Sequence, residues 1–192
     1  MNSVRRATAM LADPSAAWIR IEKEPDDAFQ LLITYVGLLA LIPCVSGFVG
    51  DCVLGVVVPG VGTVRMPIVG GLLGAIFGYA ATFAQILLVG LLIDALAPLF
   101  GARRNFSAAL RLAVFSFTPV WLAGIFLLLP GLRFLELTGI YGAYILAKGL
   151  PRLMRSPTQG SPTYAAFIVL FAGILLTLTA GAQHTLFGAA RL

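Results

Sequence analysis

Charge is what this sequence has least of. Only 11% of its 192 residues are Asp, Glu, Lys or Arg, against about 25% in a soluble domain. So little polar surface cannot solvate a globule, which excludes a soluble fold and predicts an integral membrane protein. Histidine is nearly absent as well, with His184 as its single copy. That leaves a serine hydrolase one possible base and denies a metal the cluster of ligands it needs, so no catalytic, cofactor or metal site is expected. The two cysteines, Cys44 and Cys52, make no disulfide framework and are expected to be free thiols. Negative charge is the scarcer sign, 8 acidic against 13 basic residues, for a net +5. Nucleic acid is nevertheless a poor partner. The cations sit in short loops between apolar runs, where membrane orientation and anionic headgroups account for them.

What the chain has in abundance is apolar residues, 59% of the total with a mean hydropathy of +0.98. A membrane-spanning helix needs about 20 of them in a row. Five runs qualify, at about 29–50, 68–97, 109–129, 134–150 and 164–183, and leave no room for a separate soluble domain. The expected fold is therefore an all-α bundle of five transmembrane helices over 29–192. Residues 1–28 precede it as a cytoplasmic segment carrying a short amphipathic interfacial helix. That segment has no apolar core long enough for a cleaved signal peptide, so the first span is expected to be retained.

The N-terminal stretch "LADPSAAWIRIEKEPDD" marks its own helix. Asp13 suits the N-cap and Pro14 the first helical position, Ala17, Trp18 and Ile21 share a face, and Pro25 stops the helix. Two destinations stay open for the Trp18 face: the membrane surface or the protein's own loops. Pro43 and Pro119 interrupt the first and third spans, and Ser116 and Thr118 are placed to satisfy freed backbone groups. The segment 51–67 is apolar but broken by glycine and proline, and "VVVPGVGTV" reads as a hairpin or a re-entrant loop. Its Gly60-x-Gly62 is no dinucleotide fingerprint, since Arg65 stands at the third position. Gly70, Gly74 and Gly78 line one face of the second span, for close packing within the chain or a homodimer seam.

Basic residues set the orientation. Ten of the 13 Lys and Arg fall on the side of the N-terminus, and only Arg65, Arg133 and Arg191 on the other. The positive-inside rule then places the N-terminus in the cytoplasm and, with five spans, the C-terminus outside.

Motifs along most of the chain resemble the Yip family, the Ypt/Rab-interacting membrane proteins, and especially its small bacterial members. They are "DPSAAWIRIEKEP", "LIPCVSGFVG", "TVRMPIVGGLLGAIFGYA", "LIDALAPLFGARRNFSAALRLAVFSFTPVW" and "LTGIYGAYILAKGLPRLMRSP". The resemblance implies five spans, with a cytoplasmic N-terminus and a luminal or periplasmic C-terminus; for the bacterial branch the expected place is the inner membrane, with the C-terminus periplasmic. It marks Pro14, Trp18, Pro119, Trp121, Gly139, Tyr141, Gly149 and Pro151 as motif positions with structural roles. Eukaryotic members resemble adaptors for Rab-type GTPases and carry a longer cytosolic N-terminal region. GTPase binding is not carried over to this chain.

Intramembrane ionisable groups are the candidates for function. Asp94 leads, as an ion or proton site or, more plainly, as the partner of Lys148, Arg103 or Arg104. Gln85 is expected to hydrogen-bond across helices. Tyr141, Tyr144 and Lys148 share a face, as an aromatic vestibule or a buried stripe with satisfied hydroxyls. Lys148 is expected in the last turn of its span, with Gly149 as C-cap and Pro151 forbidding continuation. Glu136 and Arg133 read as an i, i+3 pair, and Asp51 as the end of the first span. Ser46 in "CVSGF" lacks the glycine of a rhomboid-like pattern. The function expected is a non-enzymatic scaffold or adaptor for membrane or envelope proteins, in contact with lipid and possible as a homo-oligomer. The alternatives are a small transporter using Asp94 and the proline-broken spans, and a lipid-shaping protein using the Trp18 helix.

Overall fold

The structure, a computed structural model, describes residues 3–24 and 27–187. The expected helix stop at Pro25 and the outer Arg191 lie outside these residues. Among the described residues, four helices are long and apolar enough to cross a membrane: Ala28–Leu54, Ile68–Phe100, Phe106–Leu128 and Ser161–Phe187. They are called here the first to fourth long helices. Many of their large apolar side chains point outward, Ile33, Ile76, Leu91 and Leu170 among them, as lipid contact requires. The third is the central one, buried over 72% of its apolar stretch against 17% for the fourth.

Two short helices open the chain. Ser3–Ala12 was not anticipated in sequence, whereas Pro14–Glu22 begins as its sequence dictates, with Asp13 Oδ1 accepting from the Ala16 N–H at 3.0 Å. The destination of its apolar face is settled by packing. Trp18 is fully buried in the protein, its indole N–H donating to the Ile145 carbonyl at 3.0 Å. It meets helices rather than loops, and lipid not at all.

The expected fourth span, 134–150, takes a different form. Residues Pro130–Ile140 are a 3-10 helix, and Tyr141–Leu153 an α-helix that carries on from it. A 3-10 run of this length is uncommon. This return segment retraces the third long helix antiparallel: Gly139 lies against Val120, Gly142 against the Ser116 carbonyl and Gly149 against Leu112. Pro151 does not end the helix at once: the helix runs two residues past it, to Leu153, although the ring supplies no N–H to the Ala147 carbonyl one turn back. The helix stops after Leu153, followed by Met154 and a left-handed Arg155 (φ 52°). Gly149 is therefore no cap. It is an interior glycine whose missing side chain makes room for the Trp18 ring, 2.6 Å from where a Cβ would sit.

The first and third long helices break near their prolines, at Ala40 and Phe117, with partners other than those expected. Pro119 follows a break at Phe117 in the third long helix. Thr118 does not serve a freed backbone group there; its hydroxyl bonds the Tyr35 hydroxyl at 2.9 Å. Ser116 Oγ is buried without a hydrogen bond. Pro43 packs its ring against Gly124, and the first long helix carries two π-helical stretches, Leu32–Val36 and Val49–Leu54. Segment 51–67 forms the hairpin: Val56–Val58 pairs antiparallel with Gly62–Val64, and Gly60 and Gly62 supply the positive φ of the turn.

Candidate functional site

The bundle has two unlike ends, a basic end where the N-terminal helices and most arginines gather and a hairpin end around 51–67. Between the hairpin ends of the four long helices lies a cavity of about 430 Å³. Glycines make its walls thin: Gly47 on the first long helix, Gly71, Gly74 and Gly78 on the second, Gly124 on the third. Its polar lining includes Asp51, Thr82, Gln85, Arg133, Glu136, Thr179, Gln183 and His184.

Gln85 sits deepest of the polar residues on the second long helix. It bonds across to the fourth, with its amide N–H₂ 2.5 Å from Thr179 Oγ1 and 3.4 Å from the Leu175 carbonyl. That is the cross-helix role expected of it. One turn and more outward, Gln183 reaches back the other way and donates to the Gly74 carbonyl at 2.8 Å. The glycine stripe thus packs within the chain, with Gln183 and Phe187 covering Gly70, Gly74 and Gly78. That face is not free to form a homodimer seam.

The acidic and basic residues of this end pair differently from expectation. Arg133 reaches Asp51 on the first long helix at 2.5 Å rather than Glu136 one turn away. Both partners are half-buried, and the pair ties the return segment to the first long helix. Sequence could not bring together residues 82 positions apart. His184 shares the cavity with Asp51 and Glu136, and no hydrogen bond joins it to either.

Below Gln85 the interior is closed. Ile86, Val89 and Ile93 of the second long helix, Tyr35 of the first, Phe115 of the third and Ile168 of the fourth are all buried there. Tyr35 and Phe115 have ring centroids 5.1 Å apart, and Trp18 meets Phe115 edge-on at 6.0 Å. Asp94 lies beyond this core, at the basic end, and is no part of the cavity. Arg104 binds its Oδ2 through Nε at 3.2 Å and Nη2 at 3.1 Å, so the plainer expectation holds. The other oxygen, Oδ1, is buried without a hydrogen bond.

Lys148 does not reach Asp94. It stands on the exposed side of the return segment, its ammonium 5.5 Å from the Tyr144 ring centre. Tyr144 is exposed too, and Tyr141 stacks on it at 5.5 Å while donating to the Leu11 carbonyl. The stripe is thus neither vestibule nor buried face. Gly142, Ile145, Leu146, Gly149 and Leu150 occupy the buried side of this helix, which turns the tyrosines outward. Pro14, Trp18, Pro119, Trp121 and Gly139 are all buried, while Pro151 is only partly so.

Sequence reading missed Arg111, counted as one more loop cation. It is 7% exposed and donates to the Ile21 carbonyl. The signal was present: Arg111 falls one and a half turns past the Asn105 cap, inside the apolar run "LRLAVF".

The family model described as the Yip1 domain matches residues 8–180. No curated protein and no solved structure matches the chain. With nearly the whole chain covered, it belongs to the Yip1-domain family and is an all-α, multi-pass membrane protein.

Proposed function

We propose that this Yip1-domain protein is a non-enzymatic scaffold or adaptor of the bacterial inner membrane, holding other membrane or envelope proteins. It crosses the membrane five times, from a cytoplasmic N-terminus to a periplasmic C-terminus. The return segment supports the fifth crossing. Its 11 residues of 3-10 helix and 13 of α-helix reach about 40 Å at about 2.0 and 1.5 Å per residue. That exceeds the roughly 30 Å hydrocarbon core. The basic residues agree in sign. A reporter fused after residue 187 that is active only in the periplasm is expected; a cytoplasmic signal would reduce the crossings to four.

The observation that carries the scaffold reading is the closed core between Gln85 and Asp94. Polar groups at the two ends have no path between them, and Asp94 is neutralised in place by Arg104. What the bundle does offer is long apolar faces open to neighbours in the bilayer. A photo-crosslinking residue at Leu72 or Ile76 in native membranes is expected to give discrete protein adducts. Adducts with lipid alone at both positions would sink the proposal.

One observation favours a second reading, a small-solute carrier. The cavity of about 430 Å³ brings Asp51, Glu136 and His184 into one space with Gln85 at its floor. Flux in proteoliposomes that is lost in Gln85→Leu would favour it over the scaffold. The third reading loses its basis in Trp18, which faces protein rather than lipid.

A further inference from the structure

Five arginines, Arg103, Arg104, Arg111, Arg152 and Arg155, line a second cavity, of about 320 Å³, at the basic end; among the described residues its one carboxylate is Glu22. Three elements bring them together. The loop between the second and third long helices carries Arg103 and Arg104, and the Arg103 N–H ties it to the Met154 carbonyl at 2.8 Å. The third long helix begins at the Asn105 cap and presents Arg111 from its second turn. The end of the return segment supplies Arg152 and Arg155.

The charges do not balance. Glu22 lies 3.9 Å from both Arg152 Nη1 and Arg155 Nη2, beyond hydrogen-bond range, so one carboxylate is spread over two guanidiniums. Asp94 engages Arg104 and Arg111 is held within the protein, so among the described residues two carboxylates face the other four arginines. Arg155 is the one described non-glycine residue with positive φ, a conformation that side-chain-bearing residues seldom adopt. It keeps its guanidinium at the cavity nonetheless.

We propose that this cavity binds a terminal phosphate group carrying close to two negative charges. Guanidinium forks match phosphate oxygens two at a time. The start of the 11-residue helix Phe106–Ser116 adds its own positive end. The phosphate has two possible carriers, a phosphomonoester lipid or a soluble compound. The cavity sits where the apolar helices end, at the depth where a headgroup would lie.

The full chain in mild detergent tests this with two probes: phosphatidic acid against phosphatidylcholine by native mass spectrometry, and inorganic pyrophosphate by titration calorimetry. A retained adduct or a saturable heat is expected. It should weaken about tenfold in Arg103→Gln/Arg155→Gln and less than about twofold in Arg5→Gln/Arg20→Gln, which removes the same charge outside the cavity. Binding of phosphatidic acid without pyrophosphate assigns a lipid headgroup; the reverse assigns a soluble phosphate; both together leave the shared group as ligand. Binding of neither probe, or equal loss in the two double variants, overturns the proposal. Arg155→Gly guards against misfolding. It removes the guanidinium and relaxes the left-handed backbone, so the unfolding temperature should hold or rise while binding falls. Binding unchanged in a stable Arg155→Gly would remove Arg155 from the site and, with Arg103→Gln also silent, the site itself.

Discussion

Two faces of the bundle use glycine in opposite ways. At the basic end, Gly142 and Gly149 let the return segment press onto the third long helix and Trp18, with no space left where a Cβ would stand. At the hairpin end, a Cβ on Gly74 or Gly78 would meet only Gln183 and Phe187, at 3.4 Å or more. One set of glycines closes the protein; the other thins a wall beside a cavity. The hairpin end has close contacts of its own, at Gly71 against Cys52 and at Gly124 against Pro43, so the adaptable region is the Gly74 and Gly78 face and not that whole end.

The largest test of that contrast is Trp18→Ala. A fully buried indole is lost along with its bond to Ile145, so a cost of about 3–5 kcal/mol is expected in urea or thermal unfolding in detergent. Trp18→Phe keeps most of the packing and should cost about 1 kcal/mol for the hydrogen bond. A near-neutral Trp18→Ala would mean that the N-terminal helices are an appendage rather than part of the core.

Next comes Gly142→Ala, expected to cost about 2–3 kcal/mol. The obstacle is the Ser116 carbonyl, a backbone group that cannot rotate away. Should Gly142→Ala unfold at the same denaturant concentration as the parent, the two helices must be able to separate, and the tight end would not be tight.

How far the sequence foretold this division depends on whether a feature is local. The Asp13 cap, the apolar runs and the Gly70, Gly74, Gly78 spacing are written in neighbouring residues, and the structure follows them. Asp94 could reach Arg104 because only ten positions separate them. Gly149 was misread because "KGLP" reads as punctuation in an isolated helix, whereas Trp18 and Leu112 needed the space. Lys148, Tyr141 and Tyr144 do share a face, but periodicity cannot say which face is covered. Arg133 was assigned to Glu136 for the same reason: its true partner lies on another helix. The cavity itself was invisible, since it is made from four helices and belongs to none.

At the hairpin end the first expected effect is moderate. Arg133→Met leaves Asp51 half-buried without its cation and should cost about 1 kcal/mol. Exchanging the two charges, Asp51→Arg with Arg133→Asp, should recover part of it in a double-mutant cycle. No coupling between the two sites would remove the pair as a latch across the cavity.

The smallest effect is the sharpest contrast with Gly142. Gly78→Ala places a methyl group 3.4 Å from Gln183 Nε2, an ordinary van der Waals distance that asks no movement of a side chain bonded to the Gly74 carbonyl. Replacing a mid-helix glycine by alanine otherwise favours the helix. A change within about 0.5 kcal/mol, on the stabilising side, is therefore expected from the same unfolding measurement. A larger residue separates space from strain. Gly78→Leu would extend into the cavity that Cys44 also lines, so it should slow labelling of that thiol by a small maleimide while the unfolding midpoint stays close to that of Gly78→Ala. If Gly78→Ala instead costs as much as Gly142→Ala, the Gly78 face is packed as closely as the Gly142 face in solution, and the cavity is not a place where anything could bind.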